Sequence, residues 1–340
     1  MDKLVSIVLP VYNGEKFLEK SIKSCLGQTH NNLELIIVND CSTDSSLAIA
    51  KKFQVNDSRV TVINNTINKK LPASLNIGHQ VAKGNYLTWT SDDNFYEVDA
   101  IEKLLKKITE TDNGVVYAEY NILFSDGSIK RTVKDYFQKH ILIENCIGCC
   151  FLYTKEVFQK CDGFSENLHT IEDYDFWLKA FKLTKFGYIP EVLYNYRLHP
   201  NSLTSLVSVD SSDAQKSFEN KILLSYQKFF ATYHLQDSLN FPDLFLKLNR
   251  QKLVNVSAFL NFYNRYREDL LLISKKTPQF EFAKLENNIF LRLRILMMGF
   301  TENQNIKTLF SILKNRPSLI FGYDKRRSLK YVLICIFRNY

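Results

Sequence analysis

The stretch YLTWTSDDN, residues 86–94, runs apolar from Tyr86 to Trp89 and stops on two adjacent acids, Asp92 and Asp93. Ser, Asp and Asn end strands by bonding their own backbone, so a plain turn is one reading. The other is a metal site, because oxygen ligands hold a hard divalent cation that bridges to phosphates. A second acidic group, Glu172, Asp173 and Asp175 in HTIEDYDFWLKAF, leads into the amphipathic pattern Phe176, Trp177, Ala180 and Phe181. Acids there open a helix and suit its dipole. One of them could instead be a single general base, taking the proton of a hydroxyl that attacks a sugar carbon. Tyr12 offers a ring to stack on a base and Asp40 a carboxylate to accept from a base N–H. Together these groups suit a nucleoside diphosphate.

The elements that must position them follow from the hydrophobic pattern. LVSIVLPV, a helical pattern from Glu15 to Cys25, LELIIVND, a helix from Ser45 to Phe53 and RVTVINN give strand, helix, strand, helix, strand. Continuous Val/Ile/Leu strands alternating with helices predict a parallel sheet covered on both faces. A helix from Ala73 to Ala82, stopped by Gly84, feeds YLTWT, so the first ninety residues form a doubly wound half-sheet. Such sheets bind ligands at the carboxyl ends of their strands, here Pro10 to Asn13, Asn39 to Ser42 and Ser91 to Asp93. A helix over 98–109 follows, then a hairpin signalled by Asp126-Gly127, a strand IGCCFLYT and a helix over 155–160. From about Ala214 apolar residues recur at helical spacing, which divides the chain into an α/β domain over 1–210 and an all-helical domain over 211–340.

Composition narrows the class. The 340 residues are 45% apolar and 24% charged, ordinary for a folded globular chain, with 25 Phe and 18 Tyr against 11 Gly. The first strand end carries no GxGxxG, which removes the phosphate grip a dinucleotide dehydrogenase needs. Cys146, Cys149 and Cys150 have spacing that hints at zinc, but their apolar neighbours favour reduced thiols acting as small core hydrophobes. No leader peptide and no run of about 18 apolar residues is evident, so a cytoplasmic protein is expected. The net charge of +8 is concentrated late, with eight basic and two acidic residues in 301–340. KRRSLKYVLICIF could lie on an anionic membrane surface or simply dock as a last helix. No nucleic-acid-binding fold accompanies the charge.

SIVLPVYNGEKFLEKSIKSCLGQTHNNLELIIVNDCSTDSS resembles the opening of family 2 inverting glycosyltransferases of the GT-A fold. LPASLNIGHQVAKGNYLTWTSDDNFY, GCCFLYTKEVFQKCDGF, IEDYDFWLKA and YNYRLHPNSLTS follow in the family's order, so the resemblance covers roughly residues 3–205. It implies metal-assisted transfer of a sugar from a nucleotide-diphosphate donor, a UDP-sugar first among candidates, to a hydroxyl of a glycan or lipid-linked acceptor. It places Pro10, Tyr12, Asn13 and Glu15 at the nucleoside, Asp40 at the base, Asp92 at the donor and Asp93 on Mg2+ or Mn2+. Ser91 stands where the family's Asp-x-Asp motif has its first acid. Asp173 matches the catalytic base, with Glu172 beside it to orient it or meet the acceptor. Arg197 and His199 fall in a loop that closes over the diphosphate, His199 as a metal ligand, and Lys70 could add charge there. The rival expectations are a non-catalytic nucleotide-sugar-binding protein and a nucleotidyltransferase, although VYNGEKFL lacks the latter's glycine-rich, basic loop.

Overall fold

The computed structural model describes residues 3–134, 140–200, 202, 205, 212–233, 241–250, 255–278, 280–299, 305–322 and 325–337. The chain divides into two compact units, Met1–Tyr136 with Cys146–Ile222, and Phe137–Asn145 with Leu223–Tyr340. The expected division at 210 lies outside the described residues.

In the first unit, β1 (Val5–Val11), β2 (Leu33–Asn39), β3 (Val60–Asn64) and β4 (Tyr86–Trp89) pair in parallel. Helices α1 (Glu15–Leu26), α2 (Ser46–Asn56) and α3 (Leu71–Val81) connect them, as the alternation predicts. Every residue of β1 is buried, which explains its unbroken apolar run. The chain winds from β1 to β2 and β3 on one side and returns to β4 on the other, so a switch-point crevice opens between the ends of β1 and β4. Pro10 sits in central β1 without harm, because β4 pairs β1 only as far as Val8 and no donor is wanted beyond it.

The sheet then turns mixed. After β5 (Phe95–Tyr96) and α4 (Ala100–Glu110) come β6 (Asn113–Leu123), β7 (Ile129–Val133), β8 (Phe151–Thr154) and β9 (Lys185–Arg197). Their order is β3-β2-β1-β4-β8-β6-β9-β5, with β7 on β6. β8 runs antiparallel between β4 and β6, and β6 is parallel to β9. The ends of β1, β2, β3, β4, β6 and β9 therefore share one edge with the start of β8. The Asp126-Gly127 hairpin forms with Gly127 at φ +93°. The strand expected over IGCCFLYT begins only at Phe151, the preceding residues being a turn with Gly148 at φ +70°. Two short helices complete the unit, α5 (Lys155–Lys160) and α6 (Glu172–Phe181), the latter burying Phe176 and Trp177. Beneath them His79 is fully buried: Nδ1 donates to the Leu75 carbonyl at 2.7 Å, so Nε2 accepts from the Tyr153 hydroxyl at 2.5 Å. Burial lowers its pKa to about 4.

Helix α7 (Ser212–Ala231) crosses the division between the units. The second unit continues with α8 (Phe241–Asn249), α9 (Val256–Lys276), α10 (Phe282–Gly299), α11 (Ile306–Asn315), α12 (Ser318–Phe321) and α13 (Lys325–Phe337). Its core is aromatic, with Phe230 stacked on Phe241 and Phe245. The segment 140–145 belongs here too, although the sequence pattern places it in the first domain: the Tyr226 hydroxyl donates to the Leu142 carbonyl and Arg292 pairs with Glu144.

Candidate active site

Three loops meet at the crevice. After β1 the chain turns through Asn13 at φ +55°, a conformation Asn tolerates, and the bare main chain of Gly14 passes the Asp92 carboxylate so closely that a Cβ there would overlap Oδ2. The Tyr12 main chain also bonds Asp92. Tyr12 itself is 52% exposed, free to offer its ring. Asn13 Oδ1 accepts from the Thr43 N–H at 2.8 Å, and Glu15 and the Asp44–Ser46 turn bond each other, Ser45 N–H to Glu15 Oε2 at 2.9 Å and Glu15 N–H to Asp44 Oδ2 at 3.1 Å. Glu15, expected at the nucleoside, spends this bond on fastening the β2 loop to α1.

Asp40 is only 4% exposed. Its carboxylate accepts from Asn65 Nδ2 and from the main-chain N–H groups of Lys69 and Lys70, each at 2.8 Å. These bonds hold Lys70 at φ +73° just before α3, a backbone state a lysine adopts only when its surroundings impose it. Asp40 thus builds the wall of the crevice as well as being the candidate base contact. The Lys70 side chain is exposed, and its charge reaches His169. Asn65 escaped the sequence reading, since nothing in RVTVINN marks it as more than a strand end.

At the end of β4, Asp93 Oδ2 lies 2.9 Å from His199 Nε2, while Oδ1 is buried with no hydrogen-bond partner. Phe17 packs against the His199 ring. Burial raises the carboxyl pKa of both Asp92 and Asp93, and for Asp92 the charge of Asp93 raises it further. The orphaned Asp93 oxygen and the His199 imidazole could supply two ligands to a hard cation, whose charge would also ease the conflict between Asp93 and Asp92. Among the described residues no three His, Cys, Asp or Glu side chains gather as a ready metal cluster. A cation here would therefore draw its remaining ligands from water and substrate phosphate, as Mg2+ commonly does.

Arg197 lies beside this pair. It is the last residue of β9, 4% exposed, and its guanidinium bonds the Asp93 carbonyl at 3.3 Å and the Ser125 carbonyl at 3.1 Å over the face of Phe17. Its main-chain N–H donates to Asn94 Oδ1 at 2.8 Å. It underpins Asp93. The sequence reading puts Arg197 in a loop, and the pairing of β9 with β5 and β6 shows it at a strand end.

Asp173 stands in the first turn of α6, partly exposed, with Oδ1 accepting from the Tyr174 N–H at 2.7 Å. Glu172 is buried, accepts from the Thr170 N–H at 2.6 Å, and has its pKa raised by burial and by the charge of Asp173. Thr170, a β-branched residue at φ +85°, bends the chain into the helix at a cost of about 1–3 kcal/mol. Cys149 lies in the turn two residues before β8. Its thiol is held well above its ordinary pKa by burial, by Cys150 and then by Asp173 and Asp93. That keeps it protonated, which removes it as a nucleophile. All seven cysteines are free thiols, and among the described residues no metal cluster forms at Cys146–Cys150.

A mostly parallel sheet with this switch-point crevice, closed by a mixed half and followed by a helical unit, is the GT-A architecture. The chain carries a glycosyl transferase family 2 domain over residues 6–162. It is 32% identical over 214 residues to an uncharacterized glycosyltransferase of Rickettsia prowazekii, covering 59% of this chain and 66% of that protein. It is 31% identical over 212 residues to the chondroitin synthase of Pasteurella multocida, covering 61% of this chain and 22% of the synthase. The matches thus span from about a fifth to just under two thirds of these relatives' lengths. Among solved structures, S. aureus TarS 1-349 in complex with UDP superposes with a TM-score of 0.56 at 17% identity, covering 95% of this chain and 93% of that one, a likeness of fold.

Proposed function

We propose that this glycosyltransferase moves a sugar, with inversion, from a nucleoside-diphosphate donor to a hydroxyl of a glycan or lipid-linked acceptor. The observation that supports this reading best is the end of β4, where Asp93 Oδ1 is buried without a partner while Oδ2 lies 2.9 Å from His199 Nε2. Asp173, in the first turn of α6, supplies the carboxylate that an acceptor hydroxyl needs.

Asp173 takes the proton of the acceptor hydroxyl as its oxygen attacks the anomeric carbon, and the bond from that carbon to the diphosphate breaks on the opposite face. Glu172, kept neutral by its buried site, leaves the single negative charge on Asp173. Asp93 and His199 would hold Mg2+ or Mn2+, which when bound neutralises charge on the departing diphosphate. Tyr12 stacks on the base, Asp40 and the 68–70 loop it fastens bound the nucleoside, and Asp92 meets the donor across Gly14. UDP is the nucleotide we favour, since TarS was solved with UDP and with UDP-GlcNAc. The polysaccharide synthases among the relatives favour a glycan acceptor. Seven free thiols suit the reducing cytoplasm as the site of the reaction.

The test is a panel of nucleotide sugars with Mg2+ or Mn2+, scored first by thermal stabilisation and then by release of the nucleotide on adding glycan acceptors. Metal-dependent stabilisation by one UDP-sugar and a product of inverted anomeric configuration are expected. Donor binding without turnover on any acceptor would convert the reading to a binding protein.

A further inference from the structure

Helices α11, α12 and α13 pack on one another, and each buries a small apolar set in doing so: Leu309 and Ile312, Leu319 and Ile320, Tyr331 and Cys335. A second apolar set faces solvent. On α11 it is Ile306, Phe310 and Leu313, spaced i, i+4, i+7, with Phe310 65% exposed. On α13 it is Leu329, Leu333, Ile336 and Phe337, with Phe337 66% exposed. At about 100° per residue this α13 stripe lies roughly opposite Tyr331 and Cys335, so the helix is docked by one face and apolar on the other. Lys325 on one flank and Arg326 and Lys330 on the other border the stripe, and all three are exposed. The expected alternatives of a docked helix and a surface-seeking helix are therefore satisfied by one and the same helix.

Solvated helices put charge, not Leu and Phe, outward, so this face is built for an apolar environment with anionic borders. We propose that the outward faces of α11 and α13 seat on an anionic lipid bilayer, their apolar side chains entering between head groups and their cations meeting lipid phosphates. Charge decides among occupants. From 305 to 337 there are seven Lys and Arg and one acid, Asp324, so two copies of this face would repel each other. Nucleic acid would use the cations but gains nothing from a Leu-Ile-Phe stripe. No described helix is long and apolar enough to cross a bilayer, so the contact is one of surface seating. This inference stands independently of the transferase reading.

The test is co-sedimentation of the whole chain with vesicles of phosphatidylcholine alone or with about one-third phosphatidylglycerol. Binding about tenfold stronger to the anionic vesicles, weakening with salt, is expected. The doubly substituted L333S/F337S should lose about tenfold of that binding. The triple variant K325Q/R326Q/K330Q should lose the salt dependence. All five positions are exposed, and unchanged melting of each variant checks the fold. Equal or no binding to both vesicle types overturns the proposal. So does a concentration-dependent dimer that L333S/F337S abolishes while vesicles are ignored, or RNA retention without vesicle binding.

Discussion

His199 Nε2 stands 2.9 Å from Asp93 Oδ2, across 106 residues of chain, and the other oxygen of that carboxylate is buried without a partner. If the pair holds the cation, His199→Ala should raise the half-saturating Mn2+ concentration about 10–100-fold while the protein still melts cooperatively. Donor-induced stabilisation titrated against Mn2+ measures this. An unchanged metal response would remove His199 from the site.

Asp173→Asn keeps the shape and the bond from the Tyr174 N–H but cannot take a proton. We expect kcat to fall by about 10^2–10^4 while donor binding changes little. Isothermal titration with the donor separates the two, and an equal loss of binding would mean that Asp173 positions the donor instead.

Arg197→Lys tests the underpinning of Asp93. A lysine has no planar fork to reach the Asp93 and Ser125 carbonyls together, and a destabilisation of about 1–3 kcal/mol with a raised donor KM is expected. Denaturant unfolding and initial rates read the two effects. A fall in kcat alone, at constant stability and KM, would put this residue on the diphosphate instead.

Glu172 is held protonated by its buried place beside Asp173. A carboxyl whose folded pKa is raised stabilises fully below its unfolded value near 4.5 and loses that contribution as pH climbs through the folded one. Glu172→Gln, which can still accept from Thr170, should therefore melt increasingly above the parent as pH rises, and should keep activity within about tenfold. Melting curves from pH 5 to 9 decide it, parallel curves being the contrary result.

His79 works with the opposite sign. Its pKa drops from 6.5 to about 4 on folding, so its contribution is complete above 6.5 and disappears as pH falls through 4. The full loss is about 3 kcal/mol, and His79→Gln should flatten the stability profile in that window. Both tryptophans, Trp89 and Trp177, lie in the first unit, so their fluorescence follows that unit's unfolding in urea.

Much of the first unit was legible because its strands are short apolar runs punctuated by Gly, Asn and Asp. The alternation through β4 and the acids at its end could be read directly, and Asp173 opening α6 followed from the amphipathic pattern behind it. β9 was not, since KFGYIPEVLYNYR mixes polar and apolar residues and carries Pro190, so its partnership with β6 and the inward turn of Arg197 stayed hidden. Cys149 was equally opaque: a thiol in ENCIGCC reads as zinc or core, and only the turn leading into antiparallel β8 brings it under the charges of Asp173 and Asp93. The loop 140–145 reads as part of the first domain because its company in space is fixed by Tyr226 and Arg292, far along the chain.

The gap between α1 and the aspartate turn admits a hydrogen atom at position 14 and nothing larger. Asp92 is therefore gauged against bare main chain, and its reach into the crevice is fixed by the thickness of a peptide unit instead of by a packed side chain that could change rotamer. A donor that enters this crevice meets an acid with a hard stop behind it.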